Sequence, residues 1–544
     1  MDKRYAPTLL VTTTLAVLAG ALPQSASAVT ICAGDASADC FLSYPGTSAG
    51  LDSALDSAQS SPGADLVRVG PGSFTGEFGH VSNDPVDIVG AGTGATHITS
   101  PDAKPALSVS SPGAPATVTD LEVSPGPGTA AGVARGLVLD GAIARRVRVT
   151  NPLDSATQVA TGVVLGTDAE FRDGVVDVGG AKGIVGSQSG DHVVTDSVIK
   201  GRVGVGVEGG TAKLSRLRIE ATTVGVESAV ATTEVRNSLI LLSGIPQFDV
   251  ALEQLAAGTL TADGVTLVGG PQASYGAAAV NSNPGTATLN LTNSVVHGFA
   301  KSLLRYANVP NFANLNVDYS RFAPPAPADV GAAQGPGTYA EGAGNVTADP
   351  AFVNPAFGAP AADYHLRAGS PLIDAGEPGP VLDKDLSGGL RSSDGDGDGA
   401  ARQDMGAYEY RPAPPSPPAP ANGPATAPAP ATTPAAKPAP RTPAARRDTL
   451  APVLTRVKLA RGKLRFVLSE RATVNVVVQR KRGRKGWRRV GVRRIRGRHG
   501  LNVVRFRALG ARKPVVGRYR LRLTAVDRAF NRSRARRLSV AVRR

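Results

Sequence analysis

A short segment recurs along the first two thirds of this chain, and its period constrains the fold more than any other feature. The segment has the form apolar-x-Asp/Asn-small-x-apolar, and its clearest copies are centred on Asp120, Asp173, Asp196, Asn237 and Asn293. Weaker copies are centred on Arg146, Arg216, Asp263 and Tyr319. Successive centres lie 20 to 30 residues apart. Repetition at such a period is typical of solenoid architectures.

A series of short apolar runs recurs with the same period as this segment. Each run starts 10 to 13 residues before a copy of the segment, at Gly136, Gly162, Gly183, Gly204 and Gly225. Each repeat therefore holds at least two short β-branched runs, with no room for a crossover helix. This predicts a right-handed parallel β-helix over residues 29–330, rising about 4.8 Å per turn. A leucine-rich repeat is disfavoured because its Leu-x-x-Leu-x-Leu signature is absent, and a β-sandwich would not need the in-phase stacking.

The polar residues at the segment centres suit the bends of such a coil, where left-handed backbone is common. Asp173 and Asp196 would lie about 5 Å apart on neighbouring turns, near the spacing of a retaining carboxylate pair. Because Asp or Asn recurs at this position through most of the rod, we interpret both as turn residues. Arg146 and Arg216 are expected to neutralise the ladder, and no catalytic residue is assigned.

The N-terminus predicts export. Lys3 and Arg4, the apolar stretch Leu9–Leu22 and the small residues Ala26-Ser27-Ala28 are typical of a signal peptide, here residues 1–28. The alternative is an anchor helix, but about 14 mostly apolar residues are short for a membrane span of about 20. No later stretch is as long without charges, so we expect no transmembrane span after signal removal and a secreted or cell-surface location.

The beginning of the mature chain predicts a closed and capped coil. Cys32 and Cys40 are the two cysteines, and in an exported protein a pair so close indicates one disulfide rather than a metal site. Thr47–Gln59 predicts an amphipathic helix that covers the open end of the coil. It leads into Asp65–Phe74, and Val86–Gly94 then opens the coils. These stretches resemble the entry to bacterial β-helix proteins of the pectate-lyase-like superfamily.

Residues 331–410 form a terminal region with several compact motifs. They are Asn345-Val-Thr-Ala-Asp349-Pro350-Ala-Phe352-Val353, Asp363-Tyr-His-Leu366, Gly369-Ser-Pro-Leu-Ile-Asp374-Ala-Gly376, Asp383-Lys-Asp385-Leu-Ser-Gly388 and Asp404-Met-Gly-Ala-Tyr-Glu-Tyr410. This succession resembles the terminal region of secreted β-helix proteins of the choice-of-anchor type. The resemblance implies a surface-associated rod whose downstream segment deals with attachment, and it assigns no reaction.

One stretch of this region predicts a structural Ca²⁺ site. Asp394, Asp396 and Asp398 alternate with glycines, as in the first half of an EF-hand loop. The twelfth position is Met405 instead of Glu, so Asp404 beside it, or Asp383 and Asp385 upstream, would have to complete the shell. The alternative is a solvated acidic loop without an ion.

The formal net charge of +15 averages two parts of opposite sign. Residues 449–544 carry 31 Lys and Arg against two acidic residues, whereas the other 448 residues carry 28 basic and 42 acidic side chains. Residues 411–448, dominated by Pro, Ala and Thr, predict an extended linker between the two parts.

About seven alternating runs in residues 449–544 predict a β-sandwich that resembles bacterial Ig-like modules. Its rows of arginine are expected to point outward, as Arg518, Arg520 and Arg522 alternate with Tyr519, Leu521 and Leu523.

The densest basic cluster of this module predicts an anion-binding surface: Arg480, Lys481, Arg482, Arg484, Lys485, Arg488 and Arg489. Nucleic acid is a poor candidate partner, because Trp487 is the only aromatic residue in the cluster and the protein is exported. Anionic polysaccharide or another anionic cell-envelope polymer fits better, with a plain solvated arginine face as the alternative.

Two functions follow from the sequence. The first is a surface or extracellular β-helix rod that binds extracellular polymer and is docked by the basic module to anionic envelope or glycan material. The second is a polysaccharide lyase or glycoside hydrolase that acts on an acidic polysaccharide. A lyase needs only scattered Arg, Lys and Ca²⁺ ligands, so the sequence leaves it open. The oligomeric state is not predicted.

Overall fold

The computed structural model divides the chain into two compact units, residues 1–417 and 418–544. In the first unit it describes residues 28–35, 37–126, 133–151, 160–187, 189–245, 248–379, 383–391 and 393–412. In the second unit it describes residues 452, 454–460, 463–469, 471–481, 487–498, 500–505, 517–526, 533 and 536–542. The predicted signal peptide, apart from Ala28, and residues 413–448 of the predicted linker lie outside these ranges.

The first unit is a right-handed parallel β-helix, as predicted, and its described strands lie on three faces. Among the described residues, face A consists of fourteen strands: Thr30–Ala33, Leu42–Tyr44, Asp65–Val69, Val86–Gly90, Ala116–Thr119, Ala142–Arg145, Ala169–Arg172, Asp191–Thr195, Gly210–Ser215, Ala231–Arg236, Gly258–Asp263, Thr286–Thr292, Phe312–Asp318 and Tyr339–Glu341. Each strand pairs in parallel with the strand one coil further on. The even spacing of the coils follows from this stacking.

Faces B and C share one larger sheet, because two long strands, Val198–Val207 and Arg218–Ala229, bend through both faces. The other strands of face B are Gly72–Thr75, Thr96–Thr99, Glu122–Ser124, Arg148–Thr150, Val175–Asp177, Leu239–Leu242, Thr266–Gly269 and Val295–His297. The other strands of face C are Phe78–Val81, Leu107–Ser110, Ala134–Asp140, Ala160–Leu165, Lys182–Gly186, Val250–Leu255, Tyr275–Asn281 and Lys301–Ala307.

The core of the rod is built from inward ladders of branched side chains. On face B the last apolar residue of each repeat stacks on its equivalent one coil away, as in Val176, Ile199, Ile219 and Ile240, all fully buried. The glycine series lies against this ladder. A Cβ on Gly183 would lie 2.5 Å from the carbonyl oxygen of Gly204 and 2.6 Å from the Ile199 Cγ2. The glycines are therefore required by close packing, which the sequence pattern alone did not explain.

The polar residues at the segment centres are turn residues, as predicted. All of those named above have positive φ except Asp263, where the left-handed residue is its neighbour Gly264. Examples are Asp120 at 60°, Asp196 at 55° and Asn293 at 51°. Asp, Asn and Gly tolerate this backbone best, which explains their recurrence at the bend after face A.

The N-terminal end of the rod is closed as the sequence predicted. Cys32 and Cys40 form a disulfide. The helix Ser48–Ser60 is capped by the Thr47 side chain, which accepts a hydrogen bond from the Gly50 N–H at 3.1 Å. Leu51 and Leu55 on one side of this helix are buried in the core of the rod. The helix thus covers the strands of the first coils.

The terminal region packs on the outer side of face B. After the short helices Pro327–Val330 and Ala332–Gln334, the strands Phe352–Asn354 and Asp363–Leu366 form an antiparallel pair. Phe352 and Tyr364 from this pair share a second core with the outward-facing Leu239 and Val295 of the rod. Their rings meet edge to face with centroids 5.5 Å apart. The outer side of the rod is therefore apolar where the terminal region covers it.

The second unit contains two antiparallel sheets. In the part that is described, one sheet consists of Leu454–Ala460, Lys463–Leu468 and Gly500–Arg505, and the other of Trp487–Gly497, Ala472–Lys481, Gly517–Val526 and Arg536–Val542. Phe466 of one sheet and Val476 and Leu521 of the other belong to a common core, so the unit is a β-sandwich. Its Ig-like classification stays a prediction.

Among the residues described, no helix is long and apolar enough to span a membrane.

Candidate functional site

A large cleft lies on face B, beside the terminal region. It has a volume of about 810 Å³. Its floor is formed by outward-facing residues of three successive coils, Asp177, Lys200 and the pair Arg218 and Glu220. One wall is the loop 357–362 of the terminal region, which contributes Phe357. The volume falls within the range of small-molecule and cofactor sites, about 300 to 1,000 Å³.

Stacking of the coils places the charges of the cleft in one column. Asp177 is paired in register with Lys200, and Lys200 with Glu220. The Lys200 Nζ lies 2.9 Å from the Glu220 Oε2, and the Arg218 Nε donates to the Glu220 Oε1 at 2.9 Å. The two cations are therefore held in place by one carboxylate before any ligand arrives.

The same contacts fix the ionisation of Glu220. Burial raises the pKa of Glu220, but hydrogen bonds from Lys200 and Arg218 outweigh it, and the net pKa lies below its usual value. Glu220 is thus a carboxylate at neutral pH and a weak proton acceptor. The site presents fixed donors and acceptors to a polar ligand, and this suits binding better than proton abstraction.

These cleft residues were not predicted from the sequence, although the repeat contains a signal for them. Asp177, Lys200 and Glu220 each directly follow the last apolar residue of a repeat, and the equivalent residues of the next coils are Leu241 and Val268. A change from charged to apolar side chains at one repeat position indicates that something covers the later coils. The position of Phe357 had no such signal, because it depends on how the terminal region folds back.

The motifs of the terminal region form a buried polar network. The guanidinium of Arg391 donates to the carbonyl oxygens of Gly406 and Asp404 at 2.8 and 2.6 Å. Burial raises the pKa of Asp404 to about 6 and that of Glu409 to about 8. The carboxylate of Asp385 accepts hydrogen bonds from the Glu409 N–H and from Arg411. These motif residues hold the region together, and the choice-of-anchor resemblance stays a prediction.

The predicted cation site is rearranged in the structure. Among the described residues, one group of three carboxylates could share an ion, namely Asp374, Asp394 and Asp396, whose oxygens lie within 4.8 Å of one another. Asp398 and Asp404 are not part of this group. The Asp404 carboxylate instead accepts the Asp374 N–H at 2.8 Å.

Asp374 completes the group because the loop folds around its side chain. The Asp374 carboxylate is buried and accepts the N–H groups of Gly395, Asp396 and Arg402 at 2.7, 2.9 and 3.1 Å. Carboxylate oxygens at this spacing suit a hard cation such as Ca²⁺. Asp374 lies in a motif 20 residues upstream of the acidic loop, so spacing within the loop could not identify it. The calcium itself stays a prediction.

The predicted anion-binding cluster is only partly visible. Arg480 and Lys481 end the strand Ala472–Lys481, where Lys481 is exposed. Arg482, Arg484 and Lys485 lie outside the described residues, and the side chains of Arg488 and Arg489 are not described. The predicted alternation of the strand Gly517–Val526 is confirmed. Tyr519, Leu521 and Leu523 are buried, and Arg518 and Arg522 are exposed.

Two of the ladder carboxylates, Asp120 and Asp196, are paired with arginine as the sequence predicted. The Arg146 guanidinium makes two hydrogen bonds to Asp120 at 2.8 and 2.7 Å. Arg216 does the same to Asp196 at 2.7 and 2.9 Å. The hydrogen bond from Arg216 is the main reason that the pKa of Asp196 is lowered. Asp196 is therefore ill suited to act as a proton donor in a carboxylate pair.

Comparison with known proteins gives little beyond the fold. No family model and no curated protein matches the chain. Among solved structures, the pectin methylesterase PemA from Erwinia chrysanthemi aligns at 11% identity and a TM-score of 0.24, covering 54% of this chain and 79% of that one. The pectin methylesterase from Aspergillus niger aligns at 11% identity and a TM-score of 0.23, covering 60% and 91%. At these scores neither alignment bears on the activity of this chain.

Proposed function

We propose that this protein is an extracellular β-helix rod that binds polysaccharide in the cleft of face B, and that its basic module docks to anionic envelope or glycan polymer. The observation that carries the proposal is the cleft itself. It combines two cations fixed by Glu220 with the aromatic wall residue Phe357. Donors, acceptors and one apolar surface in a shallow open site suit the hydroxyl groups and ring faces of sugars.

The ion pairs at the cleft and on the ladder favour binding over a lyase or hydrolase activity. Lys200 and Arg218 are both engaged by Glu220, whose own pKa is lowered. The Asp196 carboxylate is similarly engaged by Arg216. A general base would need a free group with a pKa near the working pH, and neither Glu220 nor Asp196 meets that requirement. The lyase or hydrolase remains the second candidate to be tested.

Calcium belongs to this proposal as a structural ion. It would be held by Asp374, Asp394 and Asp396 within the terminal region that walls the cleft. The ion would stabilise the wall and take no part in ligand binding.

The test is a binding screen of the full chain against neutral and acidic polysaccharides. Arg218→Ala removes a cleft cation, and Arg236→Ala is its matched control because Arg236 is likewise paired with a glutamate two residues away, Glu234, but on face A. We expect Arg218→Ala to weaken binding of the best ligand by about tenfold, equivalent to about 1.4 kcal/mol, and Arg236→Ala to leave it unchanged.

A second arm removes residues 449–544. This deletion is expected to abolish the salt-sensitive binding to anionic polymer and to spare the binding that depends on Arg218. Equal effects of the two arginine substitutions would overturn the cleft assignment. Release of unsaturated products from a uronate polymer, lost on Arg218→Ala, would establish the lyase alternative instead.

A further inference from the structure

Face C carries a second, smaller cavity near the last coils of the rod. Its volume is about 430 Å³, and it is lined by the aromatic residues Phe248, Tyr275 and Tyr306. Phe248 is 49% exposed and Tyr306 is 38% exposed. Aromatic residues make up only 4% of the whole chain, so three around one cavity form an unusual concentration. The cavity shares no residue with the cleft of face B.

The aromatic pair in this cavity is held in place by a buried carboxylate. Phe248 packs against Tyr275 with ring centroids 5.1 Å apart and ring planes at 39°. Asp249, next to Phe248, is fully buried and its carboxylate accepts the Ser274 N–H at 3.1 Å. The Asp249 carbonyl accepts the Tyr275 N–H, also at 3.1 Å. Because the backbone beside both rings is hydrogen-bonded and the rings pack on each other, a ligand would have few groups to order on binding.

The other end of the cavity is polar but carries no net charge. The Lys301 Nζ lies 2.7 Å from the Asp329 Oδ1 and 5.5 Å from the centroid of the Tyr275 ring. Gln334 lines the same end. Because the Lys301 ammonium and the Asp329 carboxylate neutralise each other, this end offers a cation or an anion no net electrostatic attraction. The chemistry therefore selects a neutral ligand with hydroxyl groups.

We propose that this cavity binds a neutral sugar residue, a hexose at the end of or within an oligosaccharide. The apolar face of the sugar ring lies against Phe248 and Tyr306, and the sugar hydroxyl groups form hydrogen bonds with Lys301 and Asp329. This goes beyond the proposed function, because the cavity is a separate site on another face of the rod. A rod with both sites would contact a glycan surface at two places, and this raises its avidity.

The test measures binding of methyl glucoside, methyl galactoside and methyl mannoside to the full chain by saturation-transfer NMR. Methyl glucuronide and choline serve as anionic and cationic comparators. At least one neutral glycoside is expected to bind in the millimolar range and to exceed both charged probes. Phe248→Ala and Tyr306→Ala should each weaken that binding by about five- to tenfold, the loss of one stacking contact.

The controls separate ring stacking from loss of folding. Tyr306→Phe keeps the ring and should retain binding, and Phe41→Ala removes another exposed aromatic side chain, 73% exposed, and should have no effect. Arg236→Ala, outside both sites, should also leave this binding unchanged, and because Phe248 and Tyr306 do not line the cleft of face B, failure of the cleft proposal does not decide this one. Absence of neutral glycoside binding, preference for glucuronide or choline, or indifference to both alanine substitutions would overturn the proposal.

Discussion

Two neighbouring stretches of face B share the same strand register but carry different outward surfaces. Along the outward columns, Lys200, Arg218 and Glu220 are partly exposed and charged, whereas Leu239 and Val295 are apolar and buried beneath the terminal region. The inward ladder does not change between the two stretches. A coil of a β-helix needs only its inward side chains and its backbone pairing, so the outward column is free to follow what covers it. The cleft lies where the covered stretch begins.

The largest effect is expected when the same substitution is made in the covered and in the uncovered stretch of face B. Val295 and Val198 are outward-facing residues of the same column, but Val295 is fully buried and Val198 is only partly covered. Val295→Asp should lower the free energy of unfolding by about 3 kcal/mol or more, because it buries an unpaired charge. Val198→Asp should lower it by less than about 1 kcal/mol. Denaturant unfolding measures both, and equal losses would mean that the terminal region does not cover face B.

A second test compares inward and outward positions instead of covered and uncovered ones. Gly183→Ala would force a methyl group onto the Ile199 side chain and the Gly204 carbonyl, whereas a Cβ on Gly206 meets no atom within 4 Å. We expect Gly183→Ala to destabilise the rod by about 2–3 kcal/mol and Gly206→Ala to change its stability by less than about 1 kcal/mol. Thermal unfolding of the two variants is the measurement. A harmless Gly183→Ala would contradict the packing of the glycine ladder.

Two outward-facing glutamates, Glu220 and Glu253, differ in the direction in which their surroundings shift the pKa. Glu220 has cationic partners that lower its pKa, whereas burial, followed by repulsion from Glu227, raises the pKa of Glu253 to about 8. A carboxyl whose folded pKa is raised keeps its proton in the folded state after the unfolded chain has lost it. Stability therefore falls as pH rises from the ordinary pKa of 4.5 to about 8.

The Glu253→Gln variant should lack that fall. Between about pH 6 and about pH 7.5 the wild type is expected to lose about 2 kcal/mol relative to Glu253→Gln, at about 1.4 kcal/mol per pH unit. Glu208→Gln, at an exposed position of the same rod, should track the wild type. Parallel pH profiles for wild type and Glu253→Gln would show that Glu253 is ionised in the folded protein.

The smallest expected effect is the stabilisation of the terminal region by bound Ca²⁺. At a Ca²⁺ concentration tenfold above its dissociation constant, bound calcium should stabilise the protein by about 1.4 kcal/mol, and a chelator should remove that gain. Asp394→Asn should abolish the response because Asp394 belongs to the three-carboxylate group, and Asp398→Asn should preserve it. Thermal unfolding with and without Ca²⁺ distinguishes them. A response that is lost equally in both variants would place the ion elsewhere in the loop.

The rod was predictable because each repeat obeys local rules that add up along the chain. Turn residues such as Asp173 and Asn237 need left-handed backbone, and the branched residues between them need an interior. The helix behind the Thr47 cap and the Cys32–Cys40 disulfide followed from equally local patterns.

The site was less predictable, because it depends on a contact between distant segments. Phe357 meets the Arg218 coil only after the terminal region has folded back along the rod, and Asp374 meets Asp394 only after the acidic loop has closed around it. Neither contact produces a regular spacing of residues that could be recognised in the sequence. The charged-to-apolar change from Glu220 to Leu241 was the one local sign of the covering region, and it is visible only once the repeats are aligned.

The most direct test of the central claim, that the junction of rod and terminal region binds glycan, is hydrogen–deuterium exchange of the full chain with and without its best polysaccharide ligand. Protection on binding is expected to be concentrated in residues 177–180, 200–201, 218–222, 241–243 and 357–362, the segments that line the cleft. Protection that is absent from these segments while the ligand is bound would contradict the claim.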